Sequence, residues 1–146
     1  MSPLQQQPIY LSTRLDASCE TFLARIFAQR QDVEIAYACD VDEKQLPIAV
    51  KTVQDLKGKA PKAVGSFEHI LEDSEMDALV CATPEHWHSP ATVLTCQVGK
   101  DVYVEAPASD DIWEGRKMVE AARKYKRVVQ VGMQEICSSH WRKALL

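Results

Sequence analysis

No apolar run in this sequence approaches the about 18 residues needed to cross a bilayer, so a membrane-spanning helix is not expected. A basic excess is missing too. Seventeen Lys and Arg stand against 21 Asp and Glu, a formal net charge of -4, which leaves no surplus for neutralising a phosphate backbone. Neither nucleic acid nor a membrane is therefore expected as a partner. The start, Met1-Ser2-Pro3-Leu4-Gln5-Gln6-Gln7-Pro8, has neither the charged nor the apolar region of a signal peptide, and a cytoplasmic location is the expectation. Cys19, Cys39, Cys81, Cys96 and Cys137 contain no Cys-x-x-Cys spacing, and their odd number prevents a closed set of internal disulfides. Free thiols follow, with Cys39 and Cys81 acting as small buried hydrophobes in apolar strand patterns. No repeat, low-complexity tract or internal linker divides the chain, so a single domain over 1–137 with a tail over 138–146 is the expected organisation.

What is present is a regular alternation. With 146 residues, 46% of them hydrophobic, the chain is long enough to bury roughly 68–70% of its unfolded surface in one core. Short apolar runs at 9–11, 33–39, 78–82, 102–105 and 128–131 read as strands, and segments of helical period at 19–30, 43–57, 88–98 and 112–125 lie between them, with a short turn near 67–72. Strands alternating with helices predict an α/β fold with a doubly wound parallel sheet. In the segment 112–125, Ile112, Met118, Val119 and Ala122 are expected on the buried side. Gly58 and Gly99 are expected to end helices in the left-handed conformation.

Ligands of such sheets bind outside the carboxyl ends of the strands, so the residues following each strand are the candidates. After the first strand comes Ser12-Thr13-Arg14-Leu15-Asp16-Ala17-Ser18-Cys19-Glu20, without a glycine. Glycines there normally let the backbone approach a pyrophosphate at the helix N-terminus. Asp16 and Glu20 instead bring negative charge to that end and would repel a phosphate, with Asp16 or Ser18 serving as an ordinary N-cap. Arg14 is the one residue of the stretch able to pair with a phosphate. Asp40 closes the second strand, where a carboxylate can accept hydrogen bonds from an adenosine ribose diol. It and Asp42 would repel a 2′-phosphate, favouring NAD over NADP. A cap for a helix starting near Glu43 accounts for both aspartates equally well. Thr83 and Pro84 follow the 78–82 strand. His86 and His88 are one residue apart in an expected turn, but no cysteine or carboxylate completes a tetrahedral metal set.

Three stretches, Ala82-Thr83-Pro84-Glu85-His86-Trp87-His88, Val102-Tyr103-Val104-Glu105-Ala106-Pro107-Ala108-Ser109 and Ile112-Trp113-Glu114-Gly115-Arg116-Lys117-Met118-Val119, together resemble the Gfo/Idh/MocA oxidoreductases. The resemblance implies a Rossmann-like nucleotide domain and a cis peptide before Pro107. It implies a cofactor role for Thr83, Pro84 and Glu105, with His88 touching the cofactor at most indirectly. Gln134 would lie near the nicotinamide face, although a solvated polar residue after a strand explains it as well. The family places a lysine in the middle of Glu-x-Pro, beside nicotinamide and substrate. Here that position is Ala106, whose methyl group carries no charge and donates no hydrogen bond.

The segment from Ser138 to Ala144 resembles the start of the helix leading into the family's substrate domain. From these features the expected protein is a degenerate nucleotide-binding domain acting as a non-catalytic binding or assembly module, with NAD bound weakly or not at all. The alternative is an NAD-dependent oxidoreductase of sugars or polyols whose substrate domain is absent or supplied by another chain. Trp141, Leu145 and Leu146 suggest an open apolar surface and hence a homo-oligomer.

Overall fold

A computed structural model describes residues 7–13 and 17–133 of the chain. In chain order these form β1 (Gln7–Thr13), α1 (Ala17–Gln29), β2 (Val33–Cys39), α2 (Leu46–Lys57), β3 (Lys62–Val64), α3 (Glu68–Leu71), β4 (Ala78–Ala82), α4 (Glu85–Gln97), β5 (Asp101–Val104), α5 (Ile112–Tyr125) and β6 (Val129–Val131). All six strands are parallel, in the order β3-β2-β1-β4-β5-β6. The doubly wound α/β fold is thus observed, and the strand order reverses direction beside β1.

Alternation along β4 shows how the sheet is covered on both sides. Val80 and Ala82 join Leu23, Ala24 and Ala28 of α1 and Val53 of α2 in one core cluster. Leu79 and Cys81 join Ala91 and Cys96 of α4 and Met118 and Ala121 of α5 in another. Successive strand side chains point to opposite faces, so a strand between two helical layers is apolar at every position. Cys39, Cys81 and Cys96 are buried, and burial pushes the Cys81 thiol above its usual pKa.

Several boundaries differ from the sequence reading, each for a local reason. The 43–57 helix begins only at Leu46, because Pro47 is suited to the first turn and residues before it form a separate turn. The expected 88–98 helix already begins at Glu85, and Pro90, which signals a break, is accommodated inside it. Three residues of β3 were not anticipated, since Lys62-Ala63-Val64 is too short to show a period. In α5 the buried residues are Met118 and Ala121, whereas Ile112 is 94% and Val119 40% exposed. Ile112 and Met118 are six residues apart, about 240° around a helix, and cannot share its narrow buried face. Gly58 and Gly99 do take positive φ, +73° and +80°.

The amino edge of the sheet is tied by polar bonds. Lys100 is buried, its Nζ donating to the carbonyls of Asp73 (2.6 Å) and Met76 (3.0 Å). Nearby, Tyr37 of β2 donates its hydroxyl to Asp73 Oδ2 at 2.9 Å. The Glu75 backbone N–H and then this hydroxyl hold the Asp73 carboxyl below its usual pKa, while the bond to Asp73 raises that of Tyr37. A depressed carboxyl pKa contributes stability above the unfolded value of about 4 that is lost as pH falls through the folded one. The raised phenol contributes below about pH 10 and loses that contribution as pH rises through its folded value. Tyr37→Phe is expected to cost about 1 kcal/mol at neutral pH and to shrink the acid-dependent loss, as read from urea midpoints between neutral and acidic pH.

Candidate functional site

Because β2 and β4 flank β1, the connections leaving their carboxyl ends diverge there, the place where open α/β sheets bind their ligands. Three segments lie at this edge: the turn after Cys39, the Thr83-Pro84 step into α4, and Glu105-Ala106-Pro107 after β5.

Asp40 is 4% exposed and accepts the Asp42 N–H on Oδ1 at 2.7 Å. Its own N–H donates to the Val64 carbonyl of the neighbouring strand at 3.3 Å. Asp42 Oδ1 in turn accepts the Lys44 N–H at 2.8 Å. The expected helix cap is therefore corrected. These aspartates stabilise a turn, and α2 starts from Gln45 with no side-chain cap bond. Asx-type bonds two residues along are what short acidic side chains supply when a chain must leave a strand sharply. They hold the Asp40 carboxylate just past the carboxyl end of β2.

Thr83 Oγ1 lies 3.2 Å from Cys81 Sγ, and Pro84, with φ -53° and ψ 146°, is the extended residue from which α4 starts. The expected turn holding His86 and His88 is helical instead. Two residues apart on a helix is about 200°, so the rings diverge: His86 is exposed and His88 is 2% exposed. Among the described residues no three His, Cys, Asp or Glu side chains gather as metal ligands. His88 Nδ1 is 2.6 Å from the Pro107 carbonyl oxygen.

After β5 the chain carries a buried carboxylate and an exposed methyl side by side. Glu105 accepts the Tyr103 hydroxyl on Oε1 (3.3 Å) and the Ala106 N–H on Oε2 (3.2 Å). Ala106 is exposed, and the Ala106-Pro107 peptide is cis, as the resemblance implied. Gly132, just past β6, donates its N–H to the Val104 carbonyl at 2.7 Å. A Cβ on Gly132 would meet both Glu105 Oε2 and Tyr103 Oη at 2.7 Å. Tyr103 and Gly132 were missed from sequence. The available signals were period two along β5, which puts Tyr103 beside Glu105, and a glycine directly after a strand.

Asp40, Thr83, Pro84 and the 105–107 loop thus all follow strands at the carboxyl edge of the sheet, and His88 is buried against that loop. Arg14, Asp16 and Gln134 lie outside the described residues, as do Trp141, Leu145 and Leu146. Chemically, this edge offers carboxylate acceptors at the β2 end, while position 106 offers only a methyl.

Residues 17–133 match the family model for GFO_IDH_MocA, described as an oxidoreductase family NAD-binding Rossmann fold. The chain belongs to this family. Its relatives include a Glycosyl hydrolase family 109 protein of Saccharopolyspora erythraea, 30% identical over 109 residues that cover 70% of this chain and 23% of the relative. An Alpha-N-acetylgalactosaminidase of Shewanella oneidensis is 25% identical over 107 residues, 69% of this chain and 23% of that protein. In fold, the chain resembles the scyllo-inositol dehydrogenase of Lactobacillus casei, solved with bound NAD(H) and scyllo-inositol. The TM-score is 0.80 at 19% identity, over 95% of this chain and 39% of that one. The chain therefore spans well under half the length of each of these proteins. Its assignment is to the family's NAD-binding Rossmann domain.

Proposed function

We propose that this Gfo/Idh/MocA domain is a nucleotide-binding or assembly module that grips NAD weakly and performs no hydride transfer by itself. Ala106 carries the proposal. Nicotinamide, when bound, supplies a hydride acceptor, but the residue displayed beside it must stabilise charge or hold a proton at the substrate oxygen, and an alanine does neither. The carboxyl edge of the sheet suits the other end of a dinucleotide better. Asp40 would accept from the adenosine ribose diol, Thr83 and Pro84 would line the pocket, and Glu105 would act through the loop whose backbone it holds. Gln134 would lie near the nicotinamide. The segment between β1 and α1 lacks the glycines that admit a pyrophosphate, and Asp16 and Glu20 bring charge of the wrong sign.

The test is amide-shift mapping with ADP-ribose at millimolar concentration. Shifts confined to the residues around Asp40, Thr83 and Ala106, weakened about five- to tenfold in affinity by Asp40→Ala, support the reading. Shifts elsewhere, or indifference to the substitution, would mean that the pocket lies in another place.

A second reading is favoured by the intact Glu-x-Pro frame and by the larger size of the relatives. It is an NAD-dependent oxidoreductase of sugars or polyols whose substrate domain is supplied separately. Tight NAD binding would favour it over the module.

A cytoplasmic homo-oligomer, most simply a dimer, completes the proposal. Ile112 at 94%, Trp113 at 67% and Val128 at 65% exposure leave apolar surface on α5 and beside β6, of the kind that two copies bury against each other. Light scattering at micromolar concentration should give twice the chain mass, and a monomer would defeat this part.

A further inference from the structure

We infer that His88 is the positioning residue of the Glu105-Ala106-Pro107 loop, holding it through the Pro107 carbonyl and without direct contact to any ligand at the carboxyl edge of the sheet. A carbonyl oxygen only accepts, so the 2.6 Å contact requires the ring proton on Nδ1. In the neutral ring Nε2 is then a bare acceptor. It is fully buried and has no hydrogen-bond partner among the described residues, and the same is true of Thr92 Oγ1, one helical turn further on. Among the described residues the ring is therefore hydrogen-bonded at one end alone, the end that faces the loop.

The surroundings make this anchor rigid. His88 lies in the first turn of α4 with 2% exposure, and the next residue, Ser89, ties the same turn to α5 by donating Oγ to the Glu114 carbonyl at 3.2 Å. On the loop's other flank the Glu105 carboxylate holds the Ala106 N–H. Position 106 is thus displayed between two fixed points, one supplied by its own strand and one by a helix 18 residues earlier in the chain. The role belongs to the loop frame and stands whether or not a nucleotide binds.

The experiment uses the full chain and two readouts. In wild type, the ring nitrogen shifts of His88 should show a protonated Nδ1 and an unprotonated Nε2; an Nε2–H tautomer would overturn the inference. Amide hydrogen exchange then follows Ala106 and Ala108 relative to Val80 and Val104 in the core strands. His88→Ala should accelerate the loop amides about tenfold beyond any change in the core. His88→Asn, whose side-chain N–H falls near the Nδ1 position, should restore protection to within about threefold, whereas His88→Gln, whose amide reaches the Nε2 position, should not. Equal behaviour of Asn and Gln, or acceleration shared equally by loop and core, would contradict the role. Should the Ala variant fail to fold, the wild-type tautomer and the Asn–Gln pair still decide.

Discussion

Incubated with NAD and a sugar or polyol, the purified 146-residue chain is expected to produce no substrate-dependent NADH, and Ala106→Lys is expected to leave that result unchanged. The magnitudes explain why the single substitution falls short. A charge-stabilising group at the reacting centre is worth on the order of 10²–10³ in rate. Holding two reactants in register is worth effective molarities of roughly 10⁵–10⁸ M. Lysine at position 106 can restore the first, because Glu105 and His88 already hold the loop frame. It cannot restore the second while the segment between β1 and α1 lacks glycines for the pyrophosphate. Substrate-dependent absorbance from either protein, followed at 340 nm as NADH is conventionally assayed, would refute the non-catalytic reading.

Gly132→Ala is expected to destabilise the domain by about 1–3 kcal/mol, the usual cost of forcing extra volume into a packed site. The added methyl would sit 2.7 Å from Glu105 Oε2 and from Tyr103 Oη, contacts that real Cβ atoms do not make. Neither neighbour gives way cheaply, since Glu105 is 8% exposed and holds the Ala106 N–H while also accepting from Tyr103. Tyr103→Phe removes one of the two obstructing oxygens. The cost of Gly132→Ala should therefore be smaller in a Tyr103→Phe background, a coupling that urea midpoints of the four proteins measure. A Gly132→Ala variant as stable as wild type, or full additivity of the two changes, would show that the close approach is not what requires glycine here.

Much of this arrangement was legible in the residues, and the failures have physical causes. The 33–39 and 78–82 strands carry enough consecutive apolar and β-branched side chains that their bounds were readable without a structure. Asp40, Thr83 and Glu105 each follow such a strand, so strand order alone sent them to one edge. β3 was not readable, because three residues show no period and its pairing with β2 is a tertiary fact. The start of α4 was hidden by Pro90, whose local signal the packed helix overrides. The burial of His88 and the need for glycine at 132 depend on residues distant in sequence, Pro107 in one case and Glu105 in the other. Spacing along the chain carries no record of such contacts.

In the proposed function Asp40 attracts an adenosine while the glycine-free segment between β1 and α1 repels its phosphates, and their balance is a single affinity. Calorimetric titration of the chain with NAD, with ADP-ribose alongside, measures it directly. The expected dissociation constant for NAD is no tighter than about 1 mM, equivalent to about -4 kcal/mol, with added salt reducing the phosphate repulsion. Micromolar binding of NAD, near -8 kcal/mol, would contradict it and would favour the domain as a working cofactor site within a larger oxidoreductase.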